Sequence, residues 1–94
     1  MKNETVTWYV YMLICRDETI YTGVTTDPKK RLAEHNSGVN GAKYTRSRRP
    51  VSMVYLEEVP SRSDAASREY RLKRLSRQQK LRLIQSSGFQ PDPS

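Results

Sequence analysis

The chain of 94 residues holds one cysteine, one histidine, one tryptophan and one phenylalanine. The lone Cys15 excludes an internal disulfide and a multi-cysteine zinc site, and a single histidine, His35, argues against a histidine-rich one. Glycine and proline number four and five, too few for a low-complexity linker. No apolar run approaches the roughly 20 residues that a membrane span needs. The longest, Trp8 to Cys15, has the length of a strand. Asn3, Glu4 and Thr5 interrupt any signal-peptide pattern, so a cytoplasmic location is the expectation. The length allows one domain with one modest core and leaves no room for a doubly wound dinucleotide fold.

What the chain has is positive charge. Lysine and arginine total 17 against 10 acids, a formal charge of +7, and mean hydropathy is −0.84. The excess is uneven. Residues 62–82 carry eight bases against Asp64 and Glu69, and the stretch from Lys43 to Arg49 has four bases and no acid. Eleven of the bases are arginine, the better bidentate partner for phosphate. A basic surface on a small domain points to a polyanionic partner, most often nucleic acid, against the plainer reading of a solvated helix face.

Residues 6–15 are β-branched and aromatic, and so are 19–25; both read as strands. The short polar break at 16–18 makes them an antiparallel hairpin. Asp27 and Pro28 have the residue types of an N-cap and a first helical position, opening a helix to about Asn36 with Gly38 as its stop. Residues 37–50 read as a basic loop and 51–59 as a third strand. Ser61–Ser63 caps a helix through about Leu75. Ser76, with Gln79 three residues on, has capping-box spacing and starts another, with Leu81 and Ile84 facing inward. The expected architecture is α+β: a small three-stranded, mainly antiparallel sheet flanked by helices, in the order ββαβαα. It forms a single domain over residues 1–87, followed by a frayed tail over 88–94.

Three tyrosines cluster on the hairpin. Tyr9 and Tyr11 share a face by alternation. A three-residue loop pairs Leu13 with Tyr21, sets Tyr11 opposite Gly23 and puts Tyr21 on the same face; a two-residue turn puts Tyr21 on the other. Arg31 and His35 stand four apart on one helix face, for which solvation is the plainer reading. Glu69 falls on a stripe with Ala65 and Leu72, where an unpaired charge is costly. It must pair with a base, accept hydrogen bonds or bind a metal ion. Cys15 has no neighbouring histidine motif and reads as a structural thiol.

These pieces, in this order, resemble the GIY-YIG nuclease superfamily: Tyr9-Val10-Tyr11, Tyr21-Thr22-Gly23, Arg31 with His35-Asn36, Lys43-Tyr44-Thr45-Arg46, and Glu69. The resemblance spans roughly residues 7–84 and is greatest to small stand-alone bacterial members. Tyr9 departs from the family's usual glycine, and Val24 stands where the repair branch tends to have lysine.

The resemblance implies a metal-dependent endonuclease-type domain, with Tyr11, Tyr21, Arg31, His35 and Glu69 as catalytic residues. Glu69 would be the ligand of one divalent cation, Mg²⁺ or Mn²⁺. Tyr11 would take a proton from the attacking water, Arg31 would contact a non-bridging oxygen, Tyr21 would position water or phosphate, and His35 would assist near its ordinary pKa. Lys43, Arg46, Arg48 and Arg49 would hold backbone phosphates without reading sequence. DNA is expected ahead of RNA, and a monomer is expected, with targeting left to a protein partner and no membrane involved. The competing reading is a non-catalytic nucleic-acid-binding module that keeps the fold.

Overall fold

The computed structural model describes residues 6–38 and 40–89. Its elements are β1 (Trp8–Ile14), β2 (Ile20–Thr25), α1 (Pro28–Ser37), α2 (Lys43–Arg46), β3 (Ser52–Val59), α3 (Arg62–Lys73) and α4 (Arg77–Ser87). The sheet is fully antiparallel with strand order β2-β1-β3. The central position of β1 explains why Val10, Tyr11, Met12 and Leu13 are all buried: both faces of that strand are covered.

The β1–β2 turn is the three-residue one. Leu13 pairs with Tyr21 and Tyr11 with Gly23. Glu18 takes a left-handed φ of 70°, the conformation that ends such a turn. Asp17 secures it by accepting from the backbone and hydroxyl of Thr19, at 3.2 and 2.6 Å. Asp27 caps α1 by accepting from the Lys30 amide at 3.2 Å, and Gly38, at φ 83°, closes it. Ser61 caps α3, and Ser76 with Gln79 forms a complete capping box on α4.

The sheet is sandwiched. One face packs Val10, Met12, Tyr55 and Val59 against Ala65 and Leu72 of α3, with Leu75, Leu83 and Ile84 beside them. The other packs Tyr11, Leu13, Cys15, Val51 and Met53 with Leu32 and Phe89. A register shift between Met12 and Leu13 lets β3 serve both faces: Tyr55 pairs with Met12, but Met53 pairs with Leu13. Each fully buried side chain of this size contributes roughly 1.5–3 kcal/mol.

Three details differ from expectation. The basic loop contains α2, a single turn too short to show a periodic pattern; its N-cap residue, Ala42, offers no side-chain acceptor. α3 stops at Lys73 rather than Leu75. In α4, Ile84 meets the core together with Leu83, whereas Leu81 is half-buried outside both clusters. Gly88 caps α4 in the left-handed conformation and Phe89 packs on the second cluster. Positions 90–94 of the expected tail, like residues 1–5, lie outside the described residues. Among the described residues no helix is long and apolar enough to cross a membrane.

Candidate active site

Tyr11 projects from the central strand onto the face that α1 covers. Its ring lies over Gly23 of the edge strand: a Cβ at Gly23 would stand 2.6 Å from the Tyr11 hydroxyl and 2.7 Å from Cζ. Only glycine leaves the phenol room to cross β2 at that register.

The hydroxyl meets His35 of α1, with Oη 2.9 Å from Nε2. His35 Nδ1 lies 2.8 Å from the Thr45 hydroxyl of α2, which donates to the Ala42 carbonyl at 3.1 Å. These contacts orient the whole chain. Thr45 has one proton, and it goes to Ala42. Thr45 must therefore accept from Nδ1–H, which leaves Nε2 without a proton and accepting from Tyr11 O–H. The imidazole is neutral in this arrangement, and its surroundings keep it so: burial, aided by the nearby Arg31 charge, pushes the His35 pKa down to about 4. The expectation of a histidine near its ordinary pKa is thus corrected, as is that of a solvated face, since His35 is fully buried. Burial likewise pushes Tyr11 up to about 12, opposed by hydrogen bonding to Arg31.

Tyr21 completes an aromatic enclosure. Its ring centroid is 6.3 Å from Tyr11, 5.2 Å from His35 and 5.7 Å from Tyr44. Arg31, also on α1, is held through Nη1 by Glu34 at 2.9 Å and by the Asn40 carbonyl at 2.6 Å. It favours the Tyr11 anion both as hydrogen-bond donor and as charge.

Glu69 approaches from α3, which packs against β1 and β2 from the opposite side of the sheet. On its stripe Ala65 and Leu72 are buried, but Glu69 keeps 25% of its side chain exposed and pairs through Oε2 with Lys73 at 3.1 Å. The pair is an i,i+4 bridge near the surface, where such contacts contribute little. Glu69 is close enough to Tyr11 for its charge to disfavour the phenolate. Glu69 has no ion-pair or hydrogen-bond partner besides Lys73 among the described residues. No group of three or more histidine, cysteine or carboxylate side chains suited to a metal occurs among the described residues. A lone, partly exposed carboxylate still fits a hard cation of the Mg²⁺ type, which keeps most of its waters and takes one or two protein carboxylates.

The structure therefore gathers Tyr11, Tyr21, Arg31 and His35 and brings Glu69 to their margin. The four basic residues divide. Lys43 and Arg46 are exposed and have no side-chain partner among the described residues. Arg48 is built into the fold: Nε meets Asp17 at 3.0 Å, Nη1 meets the Tyr44 carbonyl at 2.7 Å, and the guanidinium sits 4.1 Å above the Tyr44 ring. Arg49 donates to the carbonyls of Arg46 and Asn36, at 3.0 and 3.4 Å. Cys15 is buried, and burial raises its thiol pKa, in keeping with a structural thiol.

Sequence reasoning gave no role to Thr45, Tyr44, Glu34 or Asn36. The Arg31–Glu34 spacing of three was a readable signal. Asn36 clamps the start of β3, accepting from the Val51 amide at 2.7 Å and donating to its carbonyl at 3.1 Å. No local pattern announces that clamp or the Thr45 contact.

Residues 7–82 match the family described as the GIY-YIG catalytic domain. A UPF0213 protein of Desulfotalea psychrophila is 51% identical over 84 residues, covering 87% of this chain and 76% of that protein. One of Syntrophus aciditrophicus is 56% identical over 79 residues, covering 84% and 91%. The solution NMR structure of a UPF0213 protein from Bacillus halodurans superposes with a TM-score of 0.57 at 45% identity, covering 87% of this chain and 86% of that one. With a phenol from each hairpin strand set beside an arginine and a carboxylate, and with this breadth of match, the chain belongs to the GIY-YIG family.

Proposed function

We propose that this chain is an endonuclease-type phosphodiesterase that hydrolyses DNA with the help of one divalent cation. The observation that supports it best is the oriented chain Tyr11–His35–Thr45–Ala42, placed beside Arg31 and Glu69. Because Tyr11 gives its proton to His35, its oxygen can present only lone pairs outward. An attacking water therefore meets an acceptor already aimed by the sheet.

As the water oxygen bonds to phosphorus and the bond to the 3′-oxygen breaks, the water proton passes to Tyr11, whose own proton moves toward His35 Nε2. The resting groups oppose that transfer. The gap between about 12 for Tyr11 and about 4 for His35 corresponds to on the order of 10 kcal/mol. Proton transfer is then concerted with attack, and positive charge at the site has to lower the cost. Arg31 supplies part of it while contacting a non-bridging oxygen; Glu34 and Asn40 hold it in place at fixed distances. Tyr21, tilted against both Tyr11 and His35, positions the water or the phosphate. Glu69 would hold Mg²⁺ or Mn²⁺, which when bound supplies Lewis-acid stabilisation of the leaving oxygen. Lys43 and Arg46 contribute free backbone contacts, and Arg48 and Arg49 add theirs while staying tied to the fold. The domain acts as a monomer, with targeting supplied by a protein partner.

The test compares wild type with Glu69→Gln on supercoiled and branched DNA in Mg²⁺, Mn²⁺ or EDTA. Metal-dependent nicking that disappears in the variant is expected, with unchanged thermal stability. Salt-sensitive binding by both proteins without cutting of any substrate would replace catalysis with a binding module.

A further inference from the structure

A second feature lies against the same two helices. Arg16, Asn36, Arg46, Ser47, Arg49 and Pro50 line a depression of about 490 Å³ between the end of β1, the end of α1 and the α2–β3 connection. Three guanidiniums share this wall, and no carboxylate does. Like charges do not gather without a reason. Arg16 and Arg46 are exposed and have no side-chain partner among the described residues. Arg49 is fixed by the Arg46 and Asn36 carbonyls, which occupy Nε and one proton of Nη1 and leave its other donors without a partner among the described residues. Asn36 carries no charge that could neutralise them, and its amide already exchanges two hydrogen bonds with Val51. The wall is thus one fixed guanidinium flanked by two unpartnered among the described residues, a set of donors around unbalanced positive charge, with the Ser47 hydroxyl beside it.

We infer that this depression is a phosphate-binding site, separate from the Tyr11 centre, that grips a second phosphate of the substrate backbone. The chemistry of the wall selects the ligand class. Guanidinium forks match phosphate oxygens. The volume holds a phosphate with its attached sugar, and no aromatic side chain lines it on which a base could stack. Recognition is then indifferent to sequence. The location ties it to the active site, because Asn36 directly follows His35 and Arg46 directly follows Thr45. The α1–α2 pair that orients the proton chain therefore also fixes this anchor, so the register of a bound strand is set relative to Tyr11. Arg16 enters the binding machinery by this route, from a strand end that charge patterning alone did not single out.

This inference rests on the nucleic-acid reading above, and the experiment separates the two. Wild type, Arg16→Gln/Arg46→Gln and the charge-matched Lys29→Gln/Lys30→Gln are titrated with a labelled DNA duplex across a salt series, and separately with inorganic phosphate, following backbone amide NMR shifts. The arginine variant is expected to bind duplex about tenfold more weakly, with the log–log salt slope reduced by about 2, since each lost phosphate contact removes roughly 0.9. The lysine variant should lose far less. Duplex and phosphate should both shift the Asn36 and Ser47 amides in wild type and not in the arginine variant. Equal losses in the two variants would overturn the site. Phosphate shifts at Asn36 and Ser47 without any duplex binding would sink the nucleic-acid reading and leave a phosphate site standing; no response to either ligand would overturn both.

Discussion

Gly23→Ala tests the geometry with a single added methyl group. The new Cβ would lie 2.6 Å from the Tyr11 hydroxyl, 2.7 Å from Cζ and 3.1 Å from Tyr21 Cε2. Ordinary contact requires at least about 3.5 Å, so the Tyr11 ring must shift by nearly 1 Å. It has nowhere easy to go, since it is almost wholly buried between the sheet and α1. A shift of that size stretches its 2.9 Å bond to His35 beyond hydrogen-bonding range. Overpacking costs about 1–3 kcal/mol and a buried polar group left unpaired about 1–3. Alanine in place of glycine returns roughly 0.4–1 kcal/mol through the unfolded chain, because the backbone at 23 is not left-handed. The expected net destabilisation is about 2–4 kcal/mol by urea denaturation, or a Tm lower by roughly 10–25 °C. Nicking should fall about 100-fold at temperatures where the variant is folded, as expected for a misplacement near 1 Å. Tyr11→Phe in the same background should recover part of the stability, because it removes the atom nearest the methyl group, but none of the activity. A Gly23→Ala protein within about 0.5 kcal/mol of wild type, with unchanged nicking, would refute the account of Tyr11.

Thr45→Val leaves the His35 Nδ1–H without its acceptor; it should cost about 1–3 kcal/mol and alter the imidazole tautomer seen in ¹⁵N NMR. Leu72→Ala removes a fully buried α3 side chain and should cost about 2–5 kcal/mol in denaturation without altering the titration of His35. Stability should depend on pH through His35. Its folded pKa, about 4, lies below the unfolded 6.5, so the unfolded chain takes the proton first on acidification. The contribution is complete above about 6.5, is lost as pH falls toward 4, and amounts to on the order of 3 kcal/mol. Urea midpoints measured across that window for wild type and His35→Gln should converge at the acid end.

Much of the fold was legible because it rests on local chemistry. The three residues at 16–18 narrow the hairpin to two registers, one of which, the observed one, puts Tyr21 on the face of Tyr11. Asp27, Gly38, Ser61 and the Ser76–Gln79 box mark helix ends by residue type alone. What escaped is non-local. α2 is one turn without a capping side chain, held by Arg48 across 31 residues to Asp17. The state of His35 depends on Tyr11, 24 residues earlier, and on Thr45, ten later. A lone helix face cannot reveal that both ring nitrogens are taken. Pairing of Glu69 with a base was among the open alternatives, but spacing could not say that the base would be Lys73 rather than an arginine, or that a stripe with two buried members would leave its middle member partly in water.

Under the proposed function, the placement of charge lets one small chain combine attraction with chemistry. At the centre the formal charges pair off: Arg31 with Glu34, Glu69 with Lys73. Tyr11 and His35 between them are neutral, and Thr45 has no ionisable side chain. Lys43, Arg46 and Arg16, which are among the cations without a side-chain partner in the described residues, stand outside that enclosure. Steering falls to exposed groups in water, where it is long-ranged and weakened by salt. The reacting groups sit in a largely buried setting, where a single guanidinium acts on a phenol with little screening. Moving the outer charges inward would strengthen neither function, since each buried cation would lower His35 further and hold the fold less well. Keeping them apart lets the basic surface change its grip on a polyanion without disturbing the proton chain behind it.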